Sequence, residues 1–157
     1  MPLRDDLRSI FQRVFFEDAG GLLTVCESDK NSELGPVRFH VEEGGLFHIK
    51  KEFLDASREL FIKDSDNPVL ELDHVCDGII TYKIGEKFYI FLIELKSKFT
   101  KDNIEKAYKQ LRASYLKLVA ALFPFKKFSC EDFHFCGVIV SLPISPETFT
   151  KNHLLSH

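Results

Sequence analysis

The chain has 157 residues, 45% of them hydrophobic and 29% charged, with a net charge of −3. That size suits one domain around a single core, and the composition is that of an ordinary globular protein. No apolar run reaches the length of a membrane span, and the start Met1-Pro2-Leu3-Arg4-Asp5-Asp6 is too charged for a signal peptide.

Leu7, Ile10, Phe11 and Val14 recur at helical spacing and predict a helix over Asp5–Phe16, stopped by Gly20-Gly21. A short strand is expected over Leu22–Cys26 and a polar loop over Asp29–Gly35. Val37–Val41 and Leu46–Ile49 flank Glu43-Gly44-Gly45, which reads as a hairpin. Lys51–Ile62 is expected as a helix with Phe53, Leu54, Ser57, Leu60 and Phe61 on one side. Asn67-Pro68 then turns the chain into the most apolar pair of strands.

That pair runs from Asp77 to Lys98 and ends in Glu94-Leu95-Lys96. Both strands are apolar on both faces, so they are expected in the middle of a sheet. Charges there are costly unless they pair or hold a metal. Alternation puts Glu94 and Lys96 on one face. A two-residue turn at Ile84-Gly85 would pair Lys83 with Glu86 and set Asp77 opposite Leu92, on the same face as Glu94. The diagonal separates the two carboxylates by roughly 7–8 Å at Cβ, within reach of one ion. Two carboxylates make a hard oxygen site of the kind that holds Mg²⁺ or Mn²⁺ together with water and phosphate oxygens. A lysine beside it could orient water or neutralise developing charge. The chemistry that needs all three is metal-assisted hydrolysis of a phosphodiester. The plain alternative is a surface ion pair where the strand emerges.

The following helix is expected over Asp102–Phe123, begun by Asp102 and stopped by Pro124. Ile104, Ala107, Tyr108, Leu111, Tyr115, Leu118 and Leu122 form its apolar stripe, with Gln110 on the shoulder. Phe135–Leu142 reads as a buried strand, parallel to an earlier one, and the residues through His157 as a loose tail or docking segment. Charge is segregated along the chain. Residues 1–82 carry 9 basic against 17 acidic side chains, and residues 83–127 carry 11 against 4. In that basic block, Lys98, Lys101, Lys106, Lys109, Arg112 and Lys117 could contact phosphates. Cys26, Cys76, Cys130 and Cys136 lack metal-ligand spacing and read as reduced, mostly buried thiols, which suits a cytoplasmic setting. His40, His48, His74 and His134 lack a zinc-site spacing partner.

Asp77, Glu94-Leu95-Lys96 at the end of an apolar strand, and Gln110-Leu111 on the next helix resemble the PD-(D/E)XK, or restriction-endonuclease-like, nuclease superfamily. That superfamily includes Holliday-junction resolvases and many repair and defence nucleases. The resemblance covers about Val69 to Val140. It implies Asp77 and Glu94 as metal ligands, Lys96 as the catalytic lysine and Gln110 as an accessory polar residue. Cys76 stands where the family's leading proline would be. Ser114 stands four residues after Gln110, where one branch of the family has a tyrosine, and Tyr115 follows it.

The family's further acidic ligand would be Glu17, Glu52 or Glu59. The resemblance implies an α/β fold, a mixed sheet flanked by helices on both faces, with a core at about 51–142 and an N-terminal helix and hairpin added. The expected function is a Mg²⁺-dependent nuclease acting on DNA, with a homodimer or a partner subunit supplying recognition. A role in anti-phage defence or restriction rests on the family analogy. Two other readings stay open: a nuclease-fold subunit without activity, and a nucleic-acid-binding module that does no chemistry.

Overall fold

Gly85 sets the frame of the sheet. Its φ of +59° is open to glycine at little cost, and it occupies the first central position of a Gly85-Glu86 turn. The turn joins β5 (Gly78–Ile84) to β6 (Lys87–Lys96), with Ile84 paired to Lys87 and Gly78 to Ile93. The turn lies one residue later than expected. Partner numbers now total 171 and not 169, so the parity is unchanged and every side chain keeps its expected face.

The computed structural model describes residues 2–11, 15–18, 21–27, 32–40, 46–55, 74–123 and 130–142. Within them, β1 (Phe16–Asp18), β4 (Leu46–Ile49), β5, β6 and β7 (Phe133–Ser141) form one five-stranded sheet in that order. All its pairings are antiparallel except β6 with β7. A parallel pair needs a long crossover, and α3 (Lys101–Leu122) provides it. The Thr100 side chain caps α3 by accepting from the Asn103 N–H, and Asp102 adds a first-turn carboxylate.

α1 (Pro2–Ile10), α2 (Lys51–Asp55) and α3 contribute Leu3, Leu7, Phe53, Leu54, Leu111, Leu118 and Leu122 to one core. That core lies against Ile79, Ile90 and Leu92 on one face of the sheet. The other face is covered by a separate antiparallel pair, β2 (Leu22–Val25) and β3 (Val37–His40), whose Leu23 and Val25 pack on Ile80, Ile93 and Leu95. The fold is therefore mixed α/β with a mainly antiparallel sheet. Among the described residues its helices share one core, whereas helices were expected on both faces.

Three further expectations are corrected. The first helix ends at Ile10, and Phe16 begins an edge strand instead of ending a helix. Phe16 is fully buried, so the core recruits it as a strand residue. β3 pairs with β2 and β4 with β1 and β5, so β3 and β4 do not form a hairpin. Ala107, Leu111, Leu118 and Leu122 of the expected α3 stripe are buried, but Tyr108 and Tyr115 are exposed, and Ser114 and Lys117, outside that stripe, are buried instead. Val14, Glu43-Gly44-Gly45, Ser57, Glu59, Leu60, Phe61, Asn67-Pro68, Pro124 and the tail through His157 lie outside the described residues.

Candidate metal centre

Asp77 immediately precedes β5 and faces the end of β6. Its Oδ2 accepts a 2.9 Å hydrogen bond from the Leu95 N–H, so a carboxylate takes up a backbone donor beyond the last β5–β6 pair. One step past the Gly78–Ile93 pair brings Asp77 opposite Glu94. Both then lie on the face of the sheet covered by α3, where the Asp77 charge acts on the Glu94 carboxyl.

Glu94 is 1% exposed and Lys96 is 8% exposed. They form a short ion pair between Lys96 Nζ and Glu94 Oε1. Lys96 Nζ also donates to Gln110 Oε1 at 2.9 Å, and Gln110 Nε2 donates to the Val75 carbonyl at 3.4 Å. The other carboxylate oxygen, Glu94 Oε2, is buried and lacks a close hydrogen bond, although the Asp77 backbone N–H is near enough to the carboxylate to favour its charged form. Burial and the neighbouring Asp77 charge push the Glu94 carboxyl up to about 7, against the opposing pull of Lys96.

These four side chains line one open pocket of about 340 Å³, together with Glu27, Ser97, Asn103 and Lys106. Glu27 was not foreseen. It follows β2, and its carboxylate accepts a short hydrogen bond from the Ser32 hydroxyl. Nothing local in the sequence marks it, because it reaches the pocket only once β2 and β3 have docked across the sheet. Glu17 pairs in register with His48, on the opposite face, and forms an ion pair with Lys50. Glu52 is exposed on α2 and does not line the pocket. Neither is placed to serve as the further acidic ligand, and Glu59 lies outside the described residues.

The donor set fits a hard divalent cation. Asp77 and Glu94 supply two carboxylates, and the unpartnered Glu94 Oε2 is a buried anionic oxygen that needs a cation or a proton. Among the described residues no three His, Cys, Asp or Glu side chains cluster as a ready-made metal cage. A two-carboxylate site completed by water and phosphate oxygens is the arrangement that suits Mg²⁺.

Lys98, Lys101, Lys106, Lys109 and Arg112 are exposed, with Lys101 near Glu105 at 3.8 Å and Lys106 at the pocket. Lys117 is not part of that surface. It is 4% exposed and its ammonium donates to the His74 carbonyl at 3.3 Å. Cys76 is buried, and burial raises its thiol to about 12, whereas Cys26 is exposed and Cys136 half-buried. No described helix is long and apolar enough to cross a membrane. No protein-family model, curated protein or solved structure matches this chain.

Proposed function

We propose that this chain is a Mg²⁺- or Mn²⁺-dependent nuclease of the restriction-endonuclease-like type, acting on DNA. The observation that carries the reading is Glu94. It is a buried carboxylate with one oxygen bound to Lys96 and the other unpartnered, beside a second carboxylate in an open polar pocket.

In this reading Asp77 and Glu94 hold the metal, which when bound would activate water and stabilise charge on phosphorus. Lys96 is paired with a carboxylate and is an ammonium, which can donate but not accept a proton. Its role is to orient the attacking water and neutralise the charge gathering on the phosphoryl oxygens. Gln110 holds the Lys96 amine in place. Water oxygen bonds to phosphorus as the ester bond to the leaving sugar oxygen breaks; the water gives up a proton to solvent and the leaving oxygen takes one from solvent. Lys98, Lys106, Lys109 and Arg112 would lie along the phosphate backbone. A second copy or a partner subunit would supply recognition, in a cytoplasmic setting.

One observation favours a second reading, a nuclease-fold binding subunit without activity: Lys96 already occupies one oxygen of the Glu94 carboxylate that would hold the metal. Assays on linear, circular and single-stranded DNA and on RNA, with Mg²⁺, Mn²⁺ or EDTA, separate the two. Cleavage that requires metal and stops with EDTA is expected. Salt-sensitive DNA binding without cleavage in either metal would leave the binding subunit.

A further inference from the structure

The first carboxylate of the site is delivered by a segment that lies ahead of the β5–β6 ladder. The β5–β6 ladder begins at Gly78, so His74 to Asp77 lie ahead of its backbone pairs, with Asp77 tied to β6 through its side chain. Their backbone is held instead by side chains from one line along α3. Gln110 Nε2 donates to the Val75 carbonyl at 3.4 Å. Ser114 Oγ accepts from the Cys76 N–H at 2.8 Å. Lys117 Nζ donates to the His74 carbonyl at 3.3 Å. Positions 110, 114 and 117 follow the i, i+4, i+7 spacing of a single helix face.

Ser114 is fully buried and Lys117 nearly so. Burying an ammonium on a core-facing helix position is expensive, and leucine or methionine would fill the same space without that penalty. The opposite side of the segment is also closed. A Cβ added at Gly78 would meet Val25 Cγ2 at 2.7 Å, so β2 presses directly on the backbone next to Asp77. The segment is gripped between α3 and β2, and Asp77 leaves it toward both the Leu95 N–H and the pocket.

We propose that Ser114 and Lys117 are positioning residues for Asp77: they fix the His74–Cys76 backbone from α3 so that the carboxylate meets the Leu95 N–H and faces Glu94. The consequence for metal binding rests on the proposed function, but the placement of Asp77 does not. Gln110 is shared between this clamp and Lys96, so it links the segment carrying one carboxylate to the amine paired with the other.

The Leu95 amide is a reporter of Asp77 that requires neither metal nor activity. Hydrogen exchange on the isotopically labelled full chain should be compared for wild type, Ser114→Ala, Lys117→Met and Leu7→Ala. The last removes buried volume from α1, in the same core but away from the clamp. In Ser114→Ala and Lys117→Met the Leu95 amide should exchange about tenfold faster relative to Phe91, which pairs with Ile80 inside the ladder, and Mn²⁺ affinity should fall roughly tenfold, the lower end for loss of a supporting shell. Leu7→Ala should change neither. Leu95 exchange unaltered in both clamp variants, or accelerated equally by Leu7→Ala, would overturn the proposal. Selective acceleration in the clamp variants, together with a wild type that binds no Mn²⁺, would leave the clamp standing and remove the metal reading.

Discussion

The two faces of β5 and β6 are built from the same two strands and do opposite things. Toward α3, the apolar side chains Ile79, Ile90 and Leu92 give way at the strand ends to Asp77, Glu94 and Lys96, all in or beside one polar pocket. On the other face, Ile80, Tyr82, Phe91 and Ile93 line an apolar cavity of about 660 Å³ with Phe39 of β3 and Val138 of β7. One face ends in buried charge and the other carries its charge only at the exposed Lys87 beside the turn. A core residue stabilises by being buried, whereas Glu94 is buried at a cost that only a cation or a proton can offset. The contrast separates residues that hold the fold from residues that the fold holds.

The contrast breaks most sharply if charge on the α3 face proves to be structural. Asp77→Ala and Glu94→Ala should each reduce cleavage by roughly 10³-fold, equivalent to about 4 kcal/mol of transition-state stabilisation. In the metal-free protein the relief of carboxylate repulsion is offset, because Asp77→Ala frees the Leu95 N–H and Glu94→Ala leaves the Lys96 ammonium without its partner, so each should lower the melting temperature while the chain still folds. Unfolding of both variants, with no divalent cation stabilising the wild type, would make the cluster structural.

Ile93→Ala, on the opposite face, should show the reverse. It should lose about 3 kcal/mol in denaturant unfolding through the cavity it leaves, with Mn²⁺ affinity unchanged. A loss of metal affinity there would show that the two faces are coupled.

Acidity tests the same division. The Glu94 carboxyl stands at about 7 in the folded chain against an ordinary 4.5, so the folded state binds the proton more tightly. Its contribution to stability is complete below the ordinary value and is lost as pH rises through about 7, up to roughly 3 kcal/mol in all. Glu94→Gln should flatten that part of the pH–stability curve. The smallest effect belongs to the exposed rim. Lys109→Glu should weaken DNA binding at all sequences alike and reduce its salt dependence, by about one unit of slope for the lost contact, without changing stability.

Much of the polar face was legible because it depends on alternation. Parity alone puts Asp77 on the Glu94 face, and the one-residue error in the turn changed its opposite neighbour from Leu92 to Glu94 without moving it to the other face. Glu-x-Lys at a strand end and Gln110 on the shoulder of α3 are likewise short-range patterns. What could not be read depends on docking between distant segments. Glu27 reaches the pocket from β2, and β3 turns to β2 and not to β4, for reasons that no local window contains. Lys117 resembles every other lysine in the basic block, and only the approach of His74 from 43 positions earlier makes it a buried donor. Tyr108 and Tyr115 follow apolar spacing yet are exposed, while the small Ser114, off that spacing, is fully buried. Close approach of the helix to the incoming backbone selects size over hydrophobicity there.

The turn at Gly85 has a consequence for the order in which the molecule assembles. Pairing β5 with β6 closes a two-residue loop, the step with the least chain entropy to overcome. α3 follows at once in sequence, so Asp77, Glu94, Lys96 and Gln110 can meet through contacts of short sequence separation. β1 must wait for β4, and β2 for β3, before either reaches the sheet. In kinetic terms the β5–β6–α3 unit is the natural nucleus. Truncating Leu92 or Leu111 should chiefly slow refolding, and truncating Phe16 or Leu23 should chiefly hasten unfolding. The polar pocket would thus be assembled, save for Glu27, before the chain has finished covering its sheet.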